Sequence, residues 1–171
     1  MKRVIIFLIL ILLSLNIFLF LFCGSFNGQC INEYSSFINK INKRYIGEFV
    51  DGKYNGQGIL TKKNGDGFEG IFSNGYPQKG IYKYKNGDVY DGEFLNGTRN
   101  GQGILTNLLG DKYVGEFKNN QFSGKGIYTY KNGDFYDGEF LNGVRHGVGF
   151  VYYNSSNQKI LSKYNLGQIQ P

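Results

Sequence analysis

The chain of 171 residues contains no alanine, two prolines, one methionine, one histidine and two cysteines. Without alanine, the best helix former, a helical bundle is a poor fit. With so little proline and no Gly-X-Y period, collagen is excluded even though glycine is abundant. Charged residues make up 19% and aromatic residues 17%, a balance that argues against intrinsic disorder. Two cysteines, Cys23 and Cys30, define no metal site. What is present in their place is 26 Gly, 14 Tyr and 15 Phe. Glycine thus stands at roughly twice its usual share of about 7%, and the mixture suits short strands joined by tight turns.

The composition is uneven along the chain. Val4 to Phe22 is a 19-residue run broken only by Ser14 and Asn16. At about 1.5 Å per residue a helix of that length spans nearly 30 Å, close to the bilayer core. The run is longer than the apolar region of an ordinary signal peptide, and Phe20-Leu21-Phe22-Cys23-Gly24-Ser25 is a poor cleavage context. Residues 1–25 therefore read as an uncleaved single-pass anchor. A cleaved signal peptide, which would leave the protein secreted, and a lipoprotein signal ending at Cys23 stay open. Lys2 and Arg3 flank the short end, so the positive-inside rule places the N-terminus in the cytoplasm and the body outside. There Cys23 and Cys30 would meet oxidising conditions; a bridge between them, an intermolecular bridge and two unpaired thiols are all compatible with the sequence.

The remaining body is mildly basic within a whole-chain net charge of +6. It is built on an internal repeat, the feature to seek first in such a composition. Tyr45-Ile-Gly-Glu-Phe49, Phe68-Glu-Gly-Ile-Phe72, Tyr90-Asp-Gly-Glu-Phe94, Tyr113-Val-Gly-Glu-Phe117 and Tyr136-Asp-Gly-Glu-Phe140 start 23, 22, 23 and 23 residues apart. Each leads into a second signature, Gly56-Gln-Gly58-Ile in the first copy and Gly101-Gln-Gly103-Ile in the third. A degenerate half copy carries Ile160, Tyr164 and Gly167. Tyr45, Gly47 and Phe49 lie at i, i+2 and i+4, so a strand points all three to one face. Asp51-Gly52, Asn74-Gly75, Asn96-Gly97 and Asn142-Gly143 supply a first turn. Asn64-Gly65, Asn86-Gly87 and Asn132-Gly133 supply a second, and this dipeptide favours two-residue type I′ hairpins. Each copy is thus a hairpin, and the array is an antiparallel meander of ten or eleven strands, roughly 50 Å long. Tyr and Phe rings are expected to lie over bare glycine backbone on neighbouring strands.

The pattern Tyr-x-Gly-Glu-Phe-x-x-Gly-x-x-x-Gly-x-Gly resembles the MORN repeat. The resemblance divides residues 45–171 into copies at 45–67, 68–89, 90–112, 113–135 and 136–159, with a partial copy at 160–171. It implies an all-β, elongated single-layer sheet of hairpins that acts as a scaffold, a protein-binding platform or a membrane-associated module. The second copy departs from the pattern. Ile71 replaces Glu, the stretch Tyr76-Pro77-Gln78-Lys79 is one residue short, and Pro77 cannot donate to a ladder, so a bend or weakened pairing is expected there. Between anchor and array, residues 26–44 read as a polar linker or as a short amphipathic helix capping the first hairpin, with Ile31, Tyr34, Phe37, Ile38 and Ile41 at helical spacing.

Positions shared by all copies belong to structure; recognition should use those that vary. These are Lys53-Tyr54-Asn55, Thr98-Arg99-Asn100, Gln121-Phe122-Ser123 and Val144-Arg145-His146, read as turn tips that line one edge of the sheet. Lys53, Tyr54, Arg99, Phe122, Lys125, Arg145 and His146 are the candidate contacts for a protein partner or anionic lipid. Lys62, Lys63, Lys83, Lys85 and Lys131 border the other turns, where a base is worth about 1 kcal/mol against an anionic membrane. Interleaved acids dilute that field and argue against nucleic acid. No catalytic set emerges: His146 is alone in a turn, and Glu48, Glu93, Glu116 and Glu139 fall about 10 Å apart on alternate strands. Asp88, Asp91 and Glu93 lack the spacing of a calcium loop, and no cofactor motif is present. The sequence therefore predicts a membrane-tethered, non-enzymatic scaffold, with lipid binding and carbohydrate binding through exposed aromatics as alternatives.

Overall fold

The computed structural model describes residues 30–32 and 43–171. The expected anchor, the Cys23–Cys30 question and most of the expected linker or helix lie outside those residues. Among the described residues no helix is long and apolar enough to cross a membrane.

One antiparallel sheet of thirteen strands runs in strict chain order. The strands are β1 (Cys30–Asn32), β2 (Lys43–Val50), β3 (Lys53–Lys62), β4 (Gly67–Ser73), β5 (Tyr76–Lys83), β6 (Val89–Leu95) and β7 (Thr98–Thr106). They continue as β8 (Lys112–Lys118), β9 (Gln121–Thr129), β10 (Phe135–Leu141), β11 (Val144–Tyr153), β12 (Gln158–Asn165) and β13 (Gln168–Gln170). The array from β2 onward thus has twelve strands, not ten or eleven. The partial copy forms a full hairpin because Leu166 and Gly167 adopt φ 46° and 84°, closing β12 onto β13. The edge of β2 is covered by β1, with Ile31 opposite Ile46. At residues 30–32 that cover is a strand.

The two sets of turns differ in a way the dipeptides did not foretell. Asp51-Gly52 has φ 49° and 70°, and Asn96-Gly97 has 50° and 80°. Two successive positive φ angles make type I′ turns of this set. Asn119-Asn120 joins it, at 50° and 70°, with no glycine. The Asn64-Gly65 set is the correction: it makes three-residue loops rather than two-residue type I′ turns. Gly65 N–H donates to Lys62 carbonyl at 3.0 Å, Lys62 N–H donates to Asp66 carbonyl at 2.8 Å, and only Gly65 is left-handed, at φ 96°. The physical cause is Asn64, whose Oδ1 accepts the Asp66 N–H at 3.1 Å and so keeps its own φ negative.

Glycine faces glycine across the sheet. Gly47, Gly58, Gly70, Gly80, Gly92, Gly103, Gly115, Gly126, Gly138 and Gly149 form one transverse row, ending on Ser162. A Cβ on Gly58 would come within 2.6 Å of three atoms of the Tyr45 side chain, so the row is bare there because tyrosine lies across it; at Gly70 and Gly80 of the second copy the facing backbone fills that space. Beside the row the rings make an unbroken edge-to-face chain. It runs Phe49, Tyr45, Phe72, Phe68, Phe94, Tyr90, Phe117, Tyr113, Phe140, Tyr136 and Tyr164, with centroids 4.9–5.4 Å apart. This chain is the core, and each pair contributes about 0.5–1.5 kcal/mol beyond its buried area.

Beyond the glycine row each complete hairpin carries a bulge. Gly47 pairs with Gly58 but Glu48 with Asn55, leaving Gly56 and Gln57 extra on β3. The Glu48 carboxylate accepts the Gln57 N–H at 3.1 Å, and the Tyr45 hydroxyl donates to the Glu48 carbonyl at 3.1 Å. Glu93 and Glu116 repeat the carboxylate bond at 3.4 and 3.3 Å. In the second copy the hydroxyl, the carboxylate and the extra glycine are absent together, as Phe68, Ile71 and the one-residue deletion. The bulge there shrinks to Gln78. Pairing of β5 with β6 also stops at Lys79, so the weakened pairing expected around Pro77 is found on that side.

Candidate functional site

The ring chain is covered by a second layer drawn from the variable positions. Tyr54 stacks on Tyr45 and Phe122 on Tyr113, each with centroids 3.9 Å apart. Arginine takes the same place in two other copies. The Arg99 guanidinium lies 5.7 Å from the Tyr90 ring and 5.5 Å from Phe117; that of Arg145 lies 4.7 Å from Tyr136 and 5.3 Å from Tyr164. Beneath this cover Tyr90 and Tyr136 are 0% exposed. Burial pushes the Tyr90 phenol up to about 12, against the opposing pull of Arg99, and raises Tyr136 in the same way.

The two arginines reach back over the sheet to a tyrosine that precedes the other turn. Arg145 Nη2 donates to the Tyr130 hydroxyl at 2.8 Å and Nη1 to the Tyr164 hydroxyl at 3.0 Å. Arg99 sits 5.8 Å from the Tyr84 ring, and its Nη2 donates to the Asn120 carbonyl at 2.7 Å. Its Nε is buried with no acceptor. Neither guanidinium has a carboxylate within ion-pair distance among the described residues, where the pair Lys62–Asp66 stands at 3.9 Å. Tyr84 and Tyr130 escaped the sequence reading, yet a signal was there. Each stands fifteen residues before its arginine, whereas Lys62 and Asn107 stand at that distance before Pro77 and Phe122.

Four of the seven candidate contacts therefore converge on one face: Tyr54, Arg99, Phe122 and Arg145. They are not turn tips but the second residues of returning strands. Lys53 and Lys125 are exposed and alternate to the opposite face. His146 follows Arg145 and also turns away; its Nδ1 accepts the Leu166 N–H at 3.4 Å, beside an open hollow of about 450 Å³ that Lys163, Tyr164 and Gln170 help to line.

The acids are absorbed by structure. Besides the glutamates in the bulges, the aspartates of the three-residue loops tie each loop to the next. Asp66, Asp88, Asp111 and Asp134 accept the N–H of Lys85, Leu108, Lys131 and Asn154 at 2.8–3.0 Å. The backbone N–H of Lys85 is the main cause that lowers the Asp66 carboxyl below its ordinary value, and that of Lys131 does the same for Asp111. Asp91 is left on the outer face, and no three His, Cys, Asp or Glu gather as metal ligands among the described residues. The outer face holds what the sequence reading passed over, a transverse aliphatic row. Ile59, Ile81, Val114, Ile127 and Leu161, with the aromatic Phe150, stand in register on it and are 38–61% exposed, but Glu69, Asp91 and Asp137 interrupt the line.

A model of the MORN repeat matches five consecutive segments, residues 45–67, 68–89, 90–107, 113–135 and 136–158, together more than half of the chain. No curated protein matches it.

Proposed function

The chain belongs to the MORN repeat family, and from that premise we propose that it is a membrane-tethered, non-catalytic scaffold that engages a protein partner through its aromatic–arginine face. The observation that carries this reading is the contrast between layers. A uniform ladder of rings and glycines supports a second layer that differs from copy to copy: Tyr54, Arg99, Phe122, Arg145. Repetition serves the sheet, and variation serves recognition. The tether rests on the Val4–Phe22 run, and Lys2 and Arg3 orient the repeats outward.

Site-specific photo-crosslinking in native membranes tests the reading. A crosslinker at Tyr84 or Tyr130 of the full chain should yield a discrete protein adduct, and protease added to intact cells should remove the repeats. Adducts only to lipid would favour phospholipid binding through Lys62, Lys63, Lys85 and Lys131. Adducts only to glycan would favour a carbohydrate platform. Protected repeats would refute the orientation.

A further inference from the structure

We propose that the occupant of the aromatic–arginine face is an acidic peptide segment, held at two carboxylates by Arg99 and Arg145. This rests on the scaffold reading above and names the chemistry of its partner. Each arginine is fixed by stacking and hydrogen bonds, yet has no anion. Around Arg145 the Tyr130 and Tyr164 oxygens accept from the guanidinium, which leaves each phenolic O–H as a donor. Around Arg99 the Nε has no acceptor. The four loop carboxylates at this face's border, Asp66, Asp88, Asp111 and Asp134, already accept backbone N–H groups, and Asp66 and Asp111 also accept from the Tyr82 and Tyr128 hydroxyls. Both arginine seats thus offer donors without an available acceptor, the complement of a carboxylate.

Spacing restricts the ligand further. Arg99 is the second residue of β7 and Arg145 the second of β11, four strand steps of about 4.8 Å apart, or roughly 19 Å. An extended peptide lying across the strands covers that span in about six residues. Between the two seats the half-buried Phe122 lies over the buried Phe117 and Phe140 rings, at 5.5 and 5.8 Å, and is the ring presented to a ligand there. A nucleic acid backbone or a lipid surface would call for a continuous track of bases there. A peptide with apolar residues between two acids matches what is present.

The full-length protein should be titrated with synthetic peptides bearing two glutamates at varied separations on an otherwise uncharged apolar background, alongside glutamine versions. A separation of about six residues should bind about tenfold more tightly than its glutamine version. Arg99→Phe and Arg145→Phe should each remove that gain with the strand signal intact, because Tyr54 and Phe122 show that a ring fits the same place. Arg→Lys at both positions should keep part of it. Equal binding of glutamate and glutamine peptides would overturn the proposal, and that comparison needs no variant. A gain independent of separation, or one that survives both phenylalanine variants, would also overturn it. So would arginine-dependent binding of phosphatidylserine vesicles in place of the peptides. If crosslinks from Tyr84 persist while no acidic peptide competes, the scaffold reading stands and this ligand class falls.

Discussion

Tyrosine carries the most responsibility at the scale of single residues. Tyr113 fills the bare row at Gly115 and Gly126, stacks under Phe122, and donates to the Glu116 carbonyl at 2.9 Å. Truncation to alanine should therefore cost about 3–5 kcal/mol, as for other large buried rings. Removing the hydroxyl alone should cost about 1 kcal/mol, since Phe68 shows the ladder continuing through a ring without one. Denaturant midpoints of Tyr113→Ala and Tyr113→Phe check both values. Equal losses would mean that the hydroxyl, not the ring, holds the copy together.

Between elements the aspartate ladder is the device that sets one loop against the next. Asp66 and Asp111 titrate below the ordinary carboxylate value because their charged forms accept backbone N–H groups. In the unfolded chain they regain a pKa of about 3.9. The unfolded state thus binds protons first as pH falls, so stability is present above about pH 4 and drains away on acidification below it. A thermal midpoint followed downward from neutral pH should fall in that region. Asp66→Asn combined with Asp111→Asn should flatten the fall, and an unchanged slope would show that other carboxylates govern it.

Over the whole molecule the response to alkali should be the mirror of this. An unfolded tyrosine ionises near pH 10. Burial, the leading cause at each site, holds Tyr45, Tyr82, Tyr90 and Tyr128 neutral up to about 12. Across that interval the folded chain keeps more protons than the unfolded one, so stability falls as pH rises through it. Phenolate absorbance should therefore appear together with loss of strand signal. Gradual ionisation with the sheet intact would contradict the burial of these rings. Because strand pairing among the described residues follows chain order, the loss should spread along the array, with the thinned β5–β6 pairing at Pro77 as a natural starting point.

The sequence by itself determined the period, the hairpins, the identity of the inward face and the weak second copy. All of these depend on residues close in the chain, where alternation and glycine leave little choice. It did not determine the three-residue loops, because Asn64-Gly65 suits two turn types and only the Asn64–Asp66 side-chain bond selects between them. Nor did it reveal that Glu48 and Glu116 seat in backbone bulges, or that Tyr54, Arg99, Phe122 and Arg145 form one layer. Those arrangements join residues from nine to more than twenty positions apart, and only the register of paired strands brings them together. The tertiary structure thus decided which variable side chains share a face, and with that which of them can meet one ligand.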